Sequence, residues 1–161
     1  MKIKLLLIII AAVLFGAACA SIATYLIVTS NRPEDNKPPD LDPNQKDYQG
    51  KDPEDKGGVE QGIKIPGYGT IYFHAGKTDV KMILLNPEGN PCYFTFELVV
   101  DGVSYYTSGL VEPSKCIEDF KLTKPIPKGD YKAVLKIRAF SLDKSLAPMN
   151  GANVTFDLIV Q

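Results

Sequence analysis

The chain has 161 residues, of which 23% are charged, with a formal net charge of −1, a single histidine and no tryptophan. Residues 63–161 carry 11 basic and 10 acidic side chains, and a net of +1 offers no broad electrostatic footprint for nucleic acid. One histidine leaves few routes to imidazole catalysis or to a histidine-rich metal site.

Residues 1–30 open the chain. Lys2 and Lys4 precede an apolar run from Leu5 to Val28, 24 residues with neither charge nor proline. As a helix rising ~1.5 Å per residue it is long enough to cross a hydrocarbon core of ~30 Å. Three export readings follow. The first is an uncleaved signal anchor, with the N-terminus cytoplasmic and the C-terminal part extracytoplasmic. The second is a secretory signal cut after Ala18-Cys19-Ala20. The third is a lipoprotein acylated at Cys19, although Gly16 is a poor residue three places before a lipidated cysteine. The anchor is favoured, because Ile22 to Val28 continue the apolar run and a new terminus there would expose it to water. Each reading places the remainder outside the cytoplasm, with the membrane as a partner through residues 5–28 under the first.

Residues 31–62 differ in material. They hold five prolines and five basic against nine acidic side chains, with only Leu41, Tyr48 and Val59 large and apolar. Such a stretch buries too little apolar area to offset the entropy of ordering it, which predicts a disordered spacer. Asp40-x-Asp42-x-Asn44 has the opening spacing of a calcium loop. The sixth position lacks Gly and the twelfth is Lys51 rather than Glu, so a solvated acidic spacer is the better reading.

Residues 63–161 predict one extracytoplasmic domain. Their periodicity is two. Phe94, Phe96, Leu98 and Val100 alternate with Thr95, Glu97 and Val99. Tyr131, Ala133, Leu135, Ile137 and Ala139 alternate with Lys132, Val134, Lys136 and Arg138. Val154, Phe156, Leu158 and Val160 alternate with Thr155, Asp157 and Ile159. Each pattern marks a strand with one buried face. Asn86-Pro87-Glu88-Gly89-Asn90-Pro91, Asp101-Gly102, Glu112-Pro113-Ser114-Lys115, Pro127-Lys128-Gly129-Asp130 and Asn150-Gly151 supply turns. Seven strands are predicted, at about 69–74, 79–85, 93–100, 103–109, 116–122, 130–140 and 152–160. That count, without helical periodicity, indicates an all-β sandwich of immunoglobulin or fibronectin type III kind. Gly129-Asp130-Tyr131, entering the penultimate strand, has the form of the tyrosine corner of such sandwiches, with a plain core tyrosine as the alternative.

The exported part also resembles a group of small membrane-anchored, immunoglobulin-like proteins of Gram-positive bacteria, some encoded within mobile elements. The likeness rests on Ile65-Pro66-Gly67-Tyr68, Asn86-Pro87 with Asn90-Pro91-Cys92-Tyr93-Phe94, Ser108-Gly109-Leu110 with Glu112-Pro113, Gly129-Asp130-Tyr131 and Met149-Asn150-Gly151-Ala152. It implies a fold and a location, and supplies no activity.

Few residues offer chemistry. Cys92 and Cys116 are either a disulfide, which an exported chain can form, or two buried thiols. His74 alone makes neither a copper nor a zinc set, so no metal and no cofactor is expected. Ser108 and Ser114 lack an assignable base, and Glu97, Glu118 and Asp119 read as solvated or ion-paired strand residues. An enzyme is therefore not expected. Lys132, Lys136 and Arg138 share one strand face, with Lys121 and Lys115 as neighbours in reach, and that face suits an anionic polymer. Tyr68 and Tyr72, with Tyr105 and Tyr106, could anchor a partner; the last two are consecutive, so at least one should be buried. The expectation is a non-catalytic, membrane-tethered module that binds a protein of the envelope or of a transfer assembly. The alternative is binding of an envelope glycan or anionic wall polymer.

Overall fold

The computed structural model describes residues 39–50 and 62–161. The expected anchor with Cys19, and most of the expected spacer, lie outside them. Among the described residues no helix is long and apolar enough to cross a membrane.

The described part is all-β and forms two sheets. In chain order the strands are β1 (Lys46–Asp47), β2 (Ile71–Phe73), β3 (Asp79–Asn86), β4 (Cys92–Val100), β5 (Val103–Thr107), β6 (Lys115–Lys121), β7 (Gly129–Ser141) and β8 (Pro148–Val160). The three-stranded sheet has the order β1-β6-β3, and the five-stranded sheet β2-β8-β7-β4-β5. Inward side chains of both sheets, including Leu84, Ile117 and Phe120 from one and Phe96, Leu135 and Leu158 from the other, join one buried cluster.

The alternation read from sequence is the cause of this layering. Along β7, Ala133, Leu135, Ile137 and Ala139 are buried, while Lys132 and Arg138, on the alternate positions, are exposed. The Asp101-Gly102 turn joins β4 to β5 with φ of 48° and 76°, the left-handed pair that matches strand twist. The Tyr131 hydroxyl donates to the Pro127 carbonyl at 2.9 Å, the backward bond expected of a tyrosine corner.

Among the described residues the strand count is eight, not seven. All seven expected strands are present, and the eighth, β1, comes from the stretch expected to be disordered spacer. Within that stretch residues 39–50 form a strap across the edges of both sheets. Leu41 bridges in parallel to Leu110, and Val111 in turn bridges Phe94 of β4. Lys46 and Asp47 then pair antiparallel with Cys116 and Lys115 on β6.

The strap is held by polar groups, which is why low hydrophobicity misled. The Leu110 N–H donates to the Asp40 carbonyl at 2.9 Å, and the Asp42 N–H to the Leu110 carbonyl at 2.8 Å. The Asp42 carboxylate, 5% exposed, accepts from the Asn44 and Gly109 amides, both at 2.8 Å. Gln45 Oε1 accepts from the Glu112 N–H at 2.9 Å, and Lys46 pairs with Glu118 at 2.6 Å. Only glycine admits the strap at residue 109. A Cβ there would sit 2.7 Å from the Asp40 carbonyl oxygen and 2.8 Å from the Asp42 nitrogen.

The last strand also starts earlier than expected, at Pro148 rather than 152. Ala139 pairs with Met149 and Phe140 with Pro148, so the β7–β8 hairpin runs beyond the core on backbone pairing. Gly151 lies where an added Cβ would fall 2.1 Å from the Ile137 carbonyl oxygen, beside the register shift between Ile137 and Ala139.

Candidate interaction surfaces

The expected binding face divides between two places. Lys132, Lys136 and Arg138 lie on the outer side of β7, opposite its buried alanines, Leu135 and Ile137. Tyr72 shares that side, because it pairs in register with Ile159, which pairs with Asp130. Tyr72 is exposed. Tyr68 is elsewhere. Its ring packs on Phe156 of the core, with centroids 5.9 Å apart.

The outer face carries less free positive charge than its lysines suggest. Register places Asp157 opposite Lys132 and Glu97 opposite Lys136. Both pairs form, the second at 3.3 Å. Cross-strand pairs of opposite charge are an ordinary device of sheet surfaces.

Of the tyrosines in β5, both Tyr105 and Tyr106 are buried. A register shift between Leu98 and Val99 leaves two residues of β5 against one of β4, and this breaks the strict alternation of faces. Tyr106 packs on Phe120 with ring centroids 4.2 Å apart, and Lys124 Nζ lies 5.3 Å from the centre of the Tyr105 ring. Burial, with the Asp42 carboxylate adding to it, raises the Tyr106 phenol well above its usual range.

Cys92 and Cys116 are free, buried thiols. Cys92 begins β4 and Cys116 lies on β6, in different sheets, and no disulfide joins them. Burial pushes the Cys92 thiol up to about 11 and raises that of Cys116, which the Glu118 carboxylate raises further.

The residues weighed for catalysis have structural partners. Ser108 Oγ is a backbone clamp, accepting from the Phe96 N–H at 2.8 Å and donating to the Gly109 carbonyl at 2.7 Å. Glu118 pairs with Lys46, Asp119 with Lys81 and Glu97 with Lys136. His74 is exposed just past β2. Among the described residues no group of three or more His, Cys, Asp and Glu is placed to hold a metal ion.

Buried amides organise the loop before β4. Asn86 is fully buried, and its Nδ2 donates at 2.9 Å to the carbonyls of both Cys92 and Val111. Asn90 donates to Asn86 Oδ1 at 2.8 Å and to the Lys64 carbonyl at 3.0 Å, while its Oδ1 accepts from the Lys64 N–H at 2.7 Å. These bonds account for the Asn-Pro-Glu-Gly-Asn-Pro motif and fix the segment that leads into residues 66–69.

That segment forms one wall of an apolar groove against β3. The groove has a volume of about 290 Å³ and is lined by Tyr48, Pro66 to Gly69, Ile71, Ile83 and Leu85. The Tyr68 hydroxyl within it is buried and makes no hydrogen bond of ordinary geometry. Burial pushes this phenol well above its usual range, against a smaller opposing effect of the neighbouring Leu85 backbone amide. A second depression of about 350 Å³ lies over Asn44, Asp79, Lys81, Asp119 and Lys121, with Lys81 and Asp119 already paired at 3.5 Å.

Sequence reasoning found Tyr68 but not the groove. Tyr68 and Leu85 come together only when the loop after residue 62 is pinned by Asn90, a contact that no local pattern announces.

Comparison with known proteins gives no match: no family model, no curated protein and no solved structure is similar to this chain.

Proposed function

We propose that the chain is a non-catalytic interaction module, tethered to the membrane through residues 5–28, which binds a protein partner of the envelope at the groove beside Tyr68. The observation that carries this reading is an apolar groove that holds, among the described residues, a buried hydroxyl without an acceptor. A buried hydroxyl without a hydrogen bond costs about 1–3 kcal/mol, a cost that a partner supplying an acceptor removes. The paired state of Lys132 and Lys136 weighs against the wall-polymer alternative.

The fold reading that accompanies this is an immunoglobulin-like sandwich. It is supported by the order β2-β8-β7-β4-β5, with β2 running parallel to β8, by the β3–β6 pair in the other sheet, and by the Tyr131 bond to Pro127. Likeness to the anchored Gram-positive proteins remains part of the same proposal, resting on the motifs quoted above.

The test is site-specific photo-crosslinking in intact cells, with the reactive side chain placed at Ile83 or at Thr155. Ile83 borders the groove, and Thr155 lies on the outer sheet face. One discrete adduct from position 83, absent from position 155, is expected. Equal labelling of abundant neighbours from both positions would overturn the reading.

A further inference from the structure

We infer that the tip of the β7–β8 hairpin is a membrane-surface contact: it rests in the interface of an anionic bilayer, with Leu142 and Met149 toward the acyl chains and Arg138 and Lys144 among the headgroups. This goes beyond the groove and rests on the proposed tether through residues 5–28.

Four observations carry the inference. First, the hairpin leaves the core and takes apolar side chains with it. Ala139 pairs with Met149 and Phe140 with Pro148, and beyond them the Ser141 N–H donates to the Ala147 carbonyl at 2.9 Å. Leu142 is 47% exposed and Met149 40%. Ala147 and Pro148 are exposed beside them.

Second, the apolar surface wraps the ribbon. Met149 stands opposite Ala139 on one face, Pro148 opposite Phe140 on the other, and Leu142 lies at the turn. A rigid protein surface covers one face of such a ribbon. A fluid lipid interface surrounds both.

Third, the turn satisfies its own polar groups, which a water-poor phase demands. The Ser145 N–H donates to Asp143 Oδ1 at 2.8 Å, the Leu146 N–H to the Asp143 carbonyl at 3.1 Å, and the Ala147 N–H to Ser141 Oγ at 2.9 Å. The Asp143 carboxylate also accepts from the Ser141 and Ser145 hydroxyls. The charged residues of 138–151 are Arg138, Asp143 and Lys144, a net of +1 that suits anionic headgroups.

Fourth, the leash is short. The strap brings residue 39 into the domain, so ten residues, 29–38, separate it from Val28. Covalent length alone limits that separation to roughly 40 Å, about the length of a 13-residue strand such as β7. The leash also joins the fold at the level of the hairpin base. Leu41 bridges Leu110, the next residue Val111 bridges Phe94, and Phe94 pairs with Ala139.

The test exploits the absence of tryptophan from the chain. Full-length Leu142→Trp is placed in vesicles of phosphatidylcholine and phosphatidylglycerol brominated on the acyl chains. Val103→Trp is the control. Val103 is 39% exposed and pairs with Val100, at the far end of β4 from the Cys92–Ser141 pair. The tryptophan at position 142 should emit at shorter wavelength and be quenched by the brominated chains, and that at position 103 should show neither. Adding Lys144→Glu should lower the ratio of docked to undocked tip about fivefold or more. No quenching at position 142, or equal quenching at both positions, would overturn the inference. Unchanged quenching with Lys144→Glu would overturn the choice of anionic headgroups. A discrete protein adduct from a crosslinker at position 142 in cells, without quenching in vesicles, would make the tip a protein contact and overturn it as well. If the chain survives an alkaline wash of the vesicles while position 142 stays unquenched, the tether stands and the hairpin contact alone falls. If the wash releases the chain, both fall. The adduct expected from Ile83 reports on the groove independently of either.

Discussion

The two edges of the three-stranded sheet are treated differently. The outer edge of β6 is covered by the strap, which pairs Lys46 and Asp47 with it and ties back to Gly109 and Leu110 in the segment after β5. The outer edge of β3 has no backbone partner among the described residues and borders an apolar groove. Among the described residues the fold closes one edge with a polar segment of low hydrophobicity and gives the other no ladder partner, beside a buried hydroxyl that lacks an acceptor. The groove that β3 borders is the place to look for function.

The largest expected effect lies at the end of β3. Asn86→Ala leaves the buried Cys92 carbonyl and the Asn90 amide short of partners and should cost about 3 kcal/mol in urea unfolding. A loss below ~1 kcal/mol would show that this end of β3 is not fixed by the amide pair. Next is the closed edge. Asp42→Ala removes two hydrogen bonds to a charged acceptor and should cost about 2 kcal/mol, with faster amide exchange at Gly109. Unchanged exchange there would separate the strap from the stability of the domain.

Alkaline pH acts on both edges. Cys116 lies on β6 opposite Lys46, and Cys92 accepts through its carbonyl from Asn86 at the end of β3. Both thiols are raised by burial, Cys92 from about 9 to about 11. Above pH 9 the unfolded chain releases these protons while the folded chain keeps them, so stability falls as pH rises through that window. Urea midpoints measured across it should decline, and less steeply in Cys92→Ala relative to its own value below pH 9.

The smallest effects mark the groove beside β3 as functional. Tyr68→Phe removes the unsatisfied hydroxyl and should stabilise the isolated protein by about 1 kcal/mol, while weakening partner binding. Ile83→Lys, at an exposed position, should change stability by no more than ~0.5 kcal/mol. Substitutions that leave or improve stability yet impair binding are the pattern expected of a binding groove. A Tyr68→Phe variant destabilised by a similar amount would instead make the hydroxyl structural.

Legibility in the sequence follows what holds each element. β7 is readable because Ala133, Leu135, Ile137 and Ala139 alternate with polar residues, so burial itself writes the strand into the chain. β1 is not readable, because Lys46 and Asp47 are held by backbone pairing and by a neighbouring aspartate. Asp42-Pro43-Asn44 did carry a signal, since an aspartate that accepts from the amide two residues on is ordinary turn chemistry. The spacing matches the opening of a calcium loop, while the carboxylate serves two backbone amides. The early start of β8 is hidden for a related reason: Asn150-Gly151 has the composition of a turn, while Gly151 is present because the chain passes close to the Ile137 carbonyl. The groove lies furthest from the sequence, because it joins Tyr68 and Leu85 through the Asn86–Asn90 pair rather than through any local pattern.

Residue-resolved amide exchange on the full chain tests the contrast between the two edges most directly. The Asp42, Gly109 and Leu110 amides, each hydrogen-bonded across the strap, should be protected together, and the amide of the exposed Ile83 on β3 should exchange much faster. Exchange of the strap amides at the rate of an unstructured peptide, or an Ile83 amide protected as well as theirs, would contradict the contrast between the two edges.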